Sequence, residues 1–306
     1  MIRYTVIIPQ RDCATLTKRC LESIPIRDDI EIIVVDDNSK NDEDLKTVEK
    51  DLNRKNLKVI YTKEGKGAGY ARNVGLNEAT GEWLIFSDAD DFFSTNAFKV
   101  FDIYAEKDND YVAFSHKSVY SDTLEPCSRY SVRNKLLDAY IKNPTKDKEE
   151  ELKYVDIVPW AKMMKRSIAE MNGFLFDEVP ASNDVTFISH MAYKAYKYAA
   201  SLECVYVLTF RKGSITRVNN LENDFSRYLV SLKYNEFLKE IGCPKYRTRV
   251  MSKVLMALKR YGLKESLKYI KEAHNNNQSL FTGFYFNFES FKEKIKIIFH
   301  KDYYNG

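Results

Sequence analysis

Three aspartates crowd one short segment, FSDADD, from Phe86 to Asp91. Carboxylates at Asp88, Asp90 and Asp91 repel one another unless a cation or hydrogen-bond donors sit among them. The donor set is oxygen alone, with no Cys or His beside it. That suits a hard ion, Mg2+ or Mn2+, which is commonly held by one or two carboxylates and phosphate oxygens. The plainer alternative is that these aspartates cap the next helix and face water. A second acidic pair, Asp36 and Asp37, ends the run VVDD in VVDDNS, Val34 to Ser39. An acidic residue at a strand end can accept hydrogen bonds from a ribose or a base edge. Asp, Asn and Ser equally favour turns. A third segment, KGAGYARNVG from Lys66 to Gly75, combines small residues with Arg72. Small residues let backbone approach a ligand, and the guanidinium fork suits a carboxylate or phosphate. The segment lacks the spacing of a nucleotide-triphosphate P-loop.

These segments need elements that carry them to one place. Tyr4–Ile8, Glu31–Val35, Leu57–Tyr61 and Glu82–Phe86 read as strands. Leu16, Cys20, Leu21 and Ile24 lie at helical spacing, and Tyr70–Glu78 reads as a helix. Ser39 and Asp42 resemble a capping box opening a polar helix through about Asn53. Near-continuous apolar strands alternating with helices predict an α/β fold. It has a Rossmann-like, mostly parallel sheet flanked by helices. Such sheets bind ligands beyond the carboxyl ends of their strands, and the loops after Ile8, Val35 and Phe86 hold the unusual residues. Further along, Tyr111–Phe114 and Cys204–Phe210 read as strands and Asp184–Tyr196 as a helix. Lys142–Lys153, polar with one proline, reads as an exposed loop or lid. From about Leu221 only helical patterns remain: Phe225 to Leu238, Val250 to Tyr261 and Phe288 to Phe299. A boundary near Arg217 separates a domain over 1–217 from a C-terminal helical region over 218–306.

Composition excludes several classes. The 306 residues are 44% hydrophobic and 30% charged, as in a globular protein. With 48 basic and 44 acidic side chains, a net of +4, the chain is no polycation for coating nucleic acid. Its aromatics sit mostly at helix or strand periodicity, so no nucleic-acid partner is expected. No apolar run reaches the roughly 20 residues of a membrane span. The start MIRYTVIIPQ has no signal-peptide pattern, so a cytoplasmic location is expected. Five cysteines without metal-clip spacing and four isolated histidines offer no zinc site or Ser/His/Asp triad. Basic charge is nonetheless segregated. Between Cys243 and Glu272 nine Lys and Arg face two Glu, a net of +7. That segment reads as contacting the anionic face of a membrane or a lipid diphosphate, with the apolar stripe that follows it packed on the domain over 1–217; simply solvated lysines or a homodimer interface are the alternatives.

The order VIIP, EIIVVDDNS, GxGxxxARNVGL and GEWLIFSDADD resembles the family 2 glycosyltransferases, and the likeness continues through VPWAKMMKRS, FDEVPASNDVTF and FRKGSITR. It covers roughly residues 1–217. The resemblance implies the glycosyltransferase A fold and inverting transfer from a nucleotide-diphosphate sugar, a UDP-sugar in the first instance. It implies a saccharide or lipid-linked saccharide acceptor and a role in surface polysaccharide synthesis; the basic C-terminal segment adds the expectation of a peripheral place on the inner face of the cell membrane. Asp37 then resembles the aspartate that hydrogen-bonds uracil. Asp88 resembles the first Asp of the Asp-x-Asp motif, near the ribose. Asp90 resembles the ligand of Mn2+ or Mg2+ on the diphosphate. Arg72 resembles the arginine that supports these acids. Asp184, preceded here by Asn183 where the family has Glu, falls on the catalytic base. Arg211 and Ser214 lie in a segment resembling one that closes over the donor, and Pro9 marks the first loop. After that proline the family commonly has an aromatic and an Asn; here Gln10, Arg11 and Asp12 follow, and Arg11 is expected to stack on the base in the ring's place. The competing readings are a nucleotidyltransferase, which would want a glycine-rich loop after the first strand, and a catalytically silent nucleotide-sugar-binding module.

Overall fold

The computed structural model describes residues 1–127, 131–210 and 220–284. It divides into two compact units, Met1–Val230 and Ser231–Gly306. The division falls inside a helix, while Arg217 lies outside the described residues.

The first unit is built on one eight-stranded sheet. Its strands are β1 (Tyr4–Gln10), β2 (Ile30–Asp37), β3 (Leu57–Thr62), β4 (Trp83–Phe86), β5 (Phe92–Phe93), β6 (Tyr111–Tyr120), β7 (Lys162–Lys165) and β8 (Tyr198–Phe210). They run in the order β3-β2-β1-β4-β7-β6-β8-β5. The four strands β3, β2, β1 and β4 are parallel, as is the β6–β8 pair. β7 is antiparallel to β4 and β6, and β5 to β8. The parallel character expected from the alternating N-terminal pattern thus holds for that half, and the other half is mixed. Helices α1 (Ala14–Glu22), α2 (Glu43–Leu52) and α3 (Ala68–Glu78) connect the parallel strands. They are followed by α4 (Ala97–Ala105), α5 (Ser131–Lys142), α6 (Lys146–Val155), α7 (Arg166–Asn172) and α8 (Val185–Lys194).

Side chains alternate across a strand, so a sheet covered on both faces needs two apolar sets. Tyr4, Val6, Ile8, Ile32, Val34, Trp83 and Ile85 enter one core cluster. Ile7, Ile33, Val35, Leu84 and Phe86 enter the other. The register sets Ile7 against both Ile33 and Phe86, and Gln10 against Asp36. The carboxyl ends of β1, β2 and β4 therefore stop at one edge, with their acidic loops together.

Two local expectations are corrected. The segment expected as a loop over Lys142–Lys153 contains α6. Thr145 caps it by accepting from the Lys148 amide, Lys153 pairs with Glu149 at 2.7 Å, and Leu152 and Tyr154 are buried. With so few apolar side chains its periodicity is too thin to see. Ser39 is not a helix cap: α2 starts at Glu43, and the Ser39 hydroxyl accepts from the Asp12 amide at 2.8 Å.

Beneath α5 and α6 lies a buried charge cluster. Arg133 Nε donates to Asp156 Oδ1 at 2.8 Å, and Lys162 Nζ lies 2.9 Å from Asp156 Oδ2. Arg133 also donates to the Phe114 carbonyl, and Lys162 to the Val158 carbonyl at 2.8 Å. Burial pulls the Lys162 amine down to about 7, against the upward pull of Asp156. All three side chains are nearly inaccessible.

The second unit contains the end of α9 (Leu221–Glu240), then α10 (Val250–Tyr261) and α11 (Leu263–Asn275). Asn235 closes it by exchanging hydrogen bonds with the backbone of Thr248 and donating to Gln278. The helix expected over Phe288–Phe299 lies outside the described residues. Among the described residues no helix is long and apolar enough to cross a membrane.

Removing the shared counter-ion should be costly. Asp156→Ala strands the buried Arg133 cation and leaves Lys162 without its partner, and is expected to destabilise the protein by about 3–5 kcal/mol in urea denaturation. Lys162→Met keeps the Arg133–Asp156 pair and most of the stem volume, and is expected to cost clearly less.

Candidate active site

The strand-end loops divide their acids into fixed and available groups. Asp36 is fixed: its carboxylate accepts from the Gln10 side chain and, at 2.7 Å, from the Ser39 amide. This ties the ends of β1 and β2, and Pro9 lies within the paired part of β1 opposite Val35. Asp37 points differently. Its Oδ2 accepts from the Gly67 amide at 2.7 Å, where the backbone has φ +94° and favours glycine. Its Oδ1 is buried without a hydrogen-bond partner. A buried acceptor left without a donor is costly, and a ligand N–H would satisfy it. Arg11, half exposed, has Nη1 3.8 Å from Asp37 Oδ2 and Nε 4.0 Å from Asp12. It thus stands beside Asp37 and also touches the neighbour that would hold it as a surface residue.

The three aspartates after β4 are equally unequal. Asp91 is inward and almost inaccessible. It accepts from the Tyr206 hydroxyl at 2.9 Å and the Thr209 amide at 2.6 Å. Burial, then Asp90 and Asp88, push its carboxyl well above the usual range. The Tyr206 hydroxyl in turn accepts from the Asp88 amide at 3.0 Å. The Tyr206 ring stacks on Trp160 at 5.3 Å and 6°. The Asp90 carbonyl accepts from Arg19 at 2.7 Å and from the Thr209 hydroxyl at 2.8 Å. β8 and α1 therefore hold this loop's backbone. Tyr206, Thr209 and Arg19 carry no motif and are invisible as site residues in the sequence.

Asp88 is partly exposed and pairs with Arg72 Nη2 at 2.7 Å. Arg72 is almost buried, and its Nη1 donates to Asn183 Oδ1 at 2.8 Å. Its guanidinium also lies 5.4 Å over the Phe176 ring. One side chain on α3 thus joins the loop after β4 to the residue preceding Asp184. Asp184 sits at the N-cap position of α8, though its side chain makes no capping bond. Desolvation raises its carboxyl, opposed by the Arg72 charge. The small residues of KGAGYARN serve this closeness. A Cβ on Gly69 would lie 2.1 Å from the Asp177 carbonyl, so what approaches that glycine is the 177–183 loop. Asn73 fixes the same loop by exchanging hydrogen bonds with the backbone of Phe176.

The structure therefore brings Arg72, Asp88 and the Asn183–Asp184 pair together, with Asp37 and Arg11 along the same sheet edge. Arg211 and Ser214 lie outside the described residues. Among the described residues no three His, Cys, Asp or Glu side chains form a cage for a metal ion. Asp91 is committed to Tyr206 and Thr209 and one oxygen of Asp88 to Arg72, so the loop's carboxylates differ in what they could offer a metal ion. That donor set fits a hard divalent ion that completes its shell with phosphate oxygens and water.

A sheet whose N-terminal half is parallel, with acids gathered past the carboxyl ends of its strands, is the arrangement of a nucleotide-binding α/β fold. The model of the family described as Glycosyl transferase family 2 matches residues 5–172, and the chain belongs to that family. It is 28% identical over 154 residues to an uncharacterised glycosyltransferase of Mycoplasma genitalium, covering 47% of this chain and 51% of that one. It is 37% identical over 105 residues to the poly(ribitol-phosphate) β-N-acetylglucosaminyltransferase TarS of Staphylococcus aureus, covering 32% and 18%. The chain thus spans about half or less of the length of these curated relatives. The structure of S. aureus TarS 1–349 with UDP-GlcNAc shares the fold at TM-score 0.68 and 22% identity, over 90% of this chain and 80% of that one. A mannosyltransferase of Pyrobaculum calidifontis, solved with GDP-Man and Mn2+, aligns at TM-score 0.53 and 17% identity, over 91% and 81%.

The raised carboxyl at Asp184 has a consequence for stability. Its folded pKa lies above the unfolded value, so burying the charge costs stability at neutral pH, and that cost is relieved as pH falls. Asp184→Asn is expected to unfold at a higher temperature than the wild type at pH 7. The gain should shrink on acidification and be absent below about pH 4, where the unfolded carboxyl is also protonated.

Proposed function

We propose that the protein transfers a sugar, with inversion, from a nucleotide-diphosphate sugar to an acceptor hydroxyl. The observation that carries this reading is the span of Arg72, from Asp88 at 2.7 Å to Asn183 at 2.8 Å. It ties the loop after β4 to the residue preceding Asp184, and in this reading the loop holds the donor and the half-buried Asp184 carboxylate faces the same reacting centre. In this reading Asp37 binds the base: its partnerless Oδ1 would accept the imide N–H of uracil, and Arg11 would stack on the ring. Asp88 would face the ribose and Asp90 would hold Mn2+ or Mg2+. When bound, that ion would offset the negative charge gathering on the departing diphosphate.

Asp184 would take the proton of the attacking hydroxyl. A carboxyl raised by burial is better matched to this task near neutrality than an ordinary one. A single displacement needs no second carboxylate as nucleophile and leaves the anomeric centre inverted. The acceptor would be a saccharide, free or lipid-linked, and the product a surface polysaccharide. The name of the S. aureus relative gives poly(ribitol-phosphate), a hydroxyl-bearing polymer, as that protein's acceptor.

Isothermal titration with UDP, with and without Mn2+, tests the donor side. Asp90→Ala is expected to remove the metal-dependent part of the affinity and leave the metal-free part intact. Equal metal-dependent affinity in the variant would refute the assignment. Once a donor and acceptor are found, Asp184→Asn should bind the donor normally and lose at least about 100-fold in turnover. Near-wild-type turnover at saturating acceptor would move the base elsewhere, with Asp177 or Glu178 next in line.

A further inference from the structure

We propose that the hairpin of α10 and α11 is a docking face for an anionic lipid surface. The two helices pack through Val250, Val254 and Ala257 on one side and Ser266, Tyr269 and Ala273 on the other. Away from these buried positions the hairpin exposes large apolar side chains. Leu255 is 55% and Leu258 42% exposed on α10; Leu263 is 66% and Leu267 54% exposed on α11. Four such leucines within thirteen positions are more than scattered surface apolarity accounts for. They are not isolated from charge. Lys264, Lys268 and Lys271 are exposed on the strip of α11 next to Leu263 and Leu267, and Lys259 is exposed on α10. Of these, Lys268 is shared with Glu265 at 2.8 Å. The segment from Cys243 to Glu272 carries a net +7 in a chain whose total is +4, so the remainder is −3.

The chemistry of the occupant follows from this pairing. A nucleic acid would meet the lysines but give the leucines no apolar phase. A second copy of the chain could cover the leucines, but a two-fold contact would bring two rows of lysines toward each other. An anionic bilayer satisfies both: the leucines enter the boundary between headgroups and acyl chains, and the lysines meet phosphate. The hairpin belongs to the second unit, and the inference does not depend on the reading of the donor site.

The test is co-sedimentation of the full chain with vesicles of phosphatidylcholine alone or mixed with phosphatidylglycerol, at low and high salt. UDP titration on the same samples keeps the donor-site question apart. The wild type is expected to bind the mixed vesicles, to bind neutral ones weakly, and to be released by salt. Leu263→Ser with Leu267→Ser, and separately Lys264→Gln with Lys271→Gln, should each lower vesicle partition by about tenfold or more while leaving UDP binding unchanged. The proposal is overturned by a wild type that ignores anionic vesicles or binds neutral ones equally well. It is equally overturned by variants that partition like the wild type, or by a salt-stable dimer that these substitutions dissolve.

Discussion

The candidate site depends on how one buried arginine is satisfied. A guanidinium cannot shed its charge, and burying it requires compensating partners; Arg72 is held through its two terminal nitrogens, while its Nε is buried without a hydrogen-bond partner. Arg72 finds a carboxylate in Asp88, an amide oxygen in Asn183 and an aromatic face in Phe176. These partners come from the loop after β4 and from the chain before α8, 111 positions beyond Arg72 itself in the case of Asn183. Placing one charge thereby fixes the separation of the two loops. Asn183 accepts the hydrogen bond without adding a negative charge, where the family resemblance implies a glutamate. The carboxylate of Asp184 then has one fewer acidic neighbour, and the Arg72 charge still draws its pKa down against burial.

The crowding of aspartates is resolved by giving each a different task. Asp36 and Asp91 are used inside the protein, one tying β1 to β2 and the other tying the loop after β4 to β8. Asp37 and Asp88 are left at the edge, Asp37 with an oxygen in want of a donor. Like charges that would repel in isolation are separated by neutral donors, Gln10, Tyr206 and backbone amides, before any ligand arrives. The Tyr206 hydroxyl is central to this, because it accepts from the Asp88 amide and donates to Asp91 at once.

Much of this was legible in the sequence, for a physical reason. Parallel strands buried on both faces write themselves as apolar runs, and their carboxyl ends must share an edge. Asp37 and Asp88 could therefore be placed at one sheet edge from position alone, while the roles proposed for them rest on the family resemblance. Tyr206, Arg19 and the Arg133–Asp156–Lys162 cluster were not legible, because their roles exist only once distant elements meet. Within a strand, a buried tyrosine that holds a loop looks like any core aromatic. Helix α6 reads as a loop in the sequence because its cap and ion pairs leave no apolar stripe to see. The glycine at position 69 was read as making room for a ligand, whereas the room is taken by the Asp177 carbonyl.

The most direct test of the account is a crystal of the protein grown with UDP and Mn2+, with anomalous scattering recorded to locate the manganese. The account predicts a manganese peak at the Asp90 carboxylate, the uracil imide within hydrogen-bond distance of Asp37 Oδ1, and the terminal phosphate beside the loop after β4. A manganese peak away from the Asp88–Asp91 loop, or a nucleotide that leaves Asp37 Oδ1 without a donor, would contradict it.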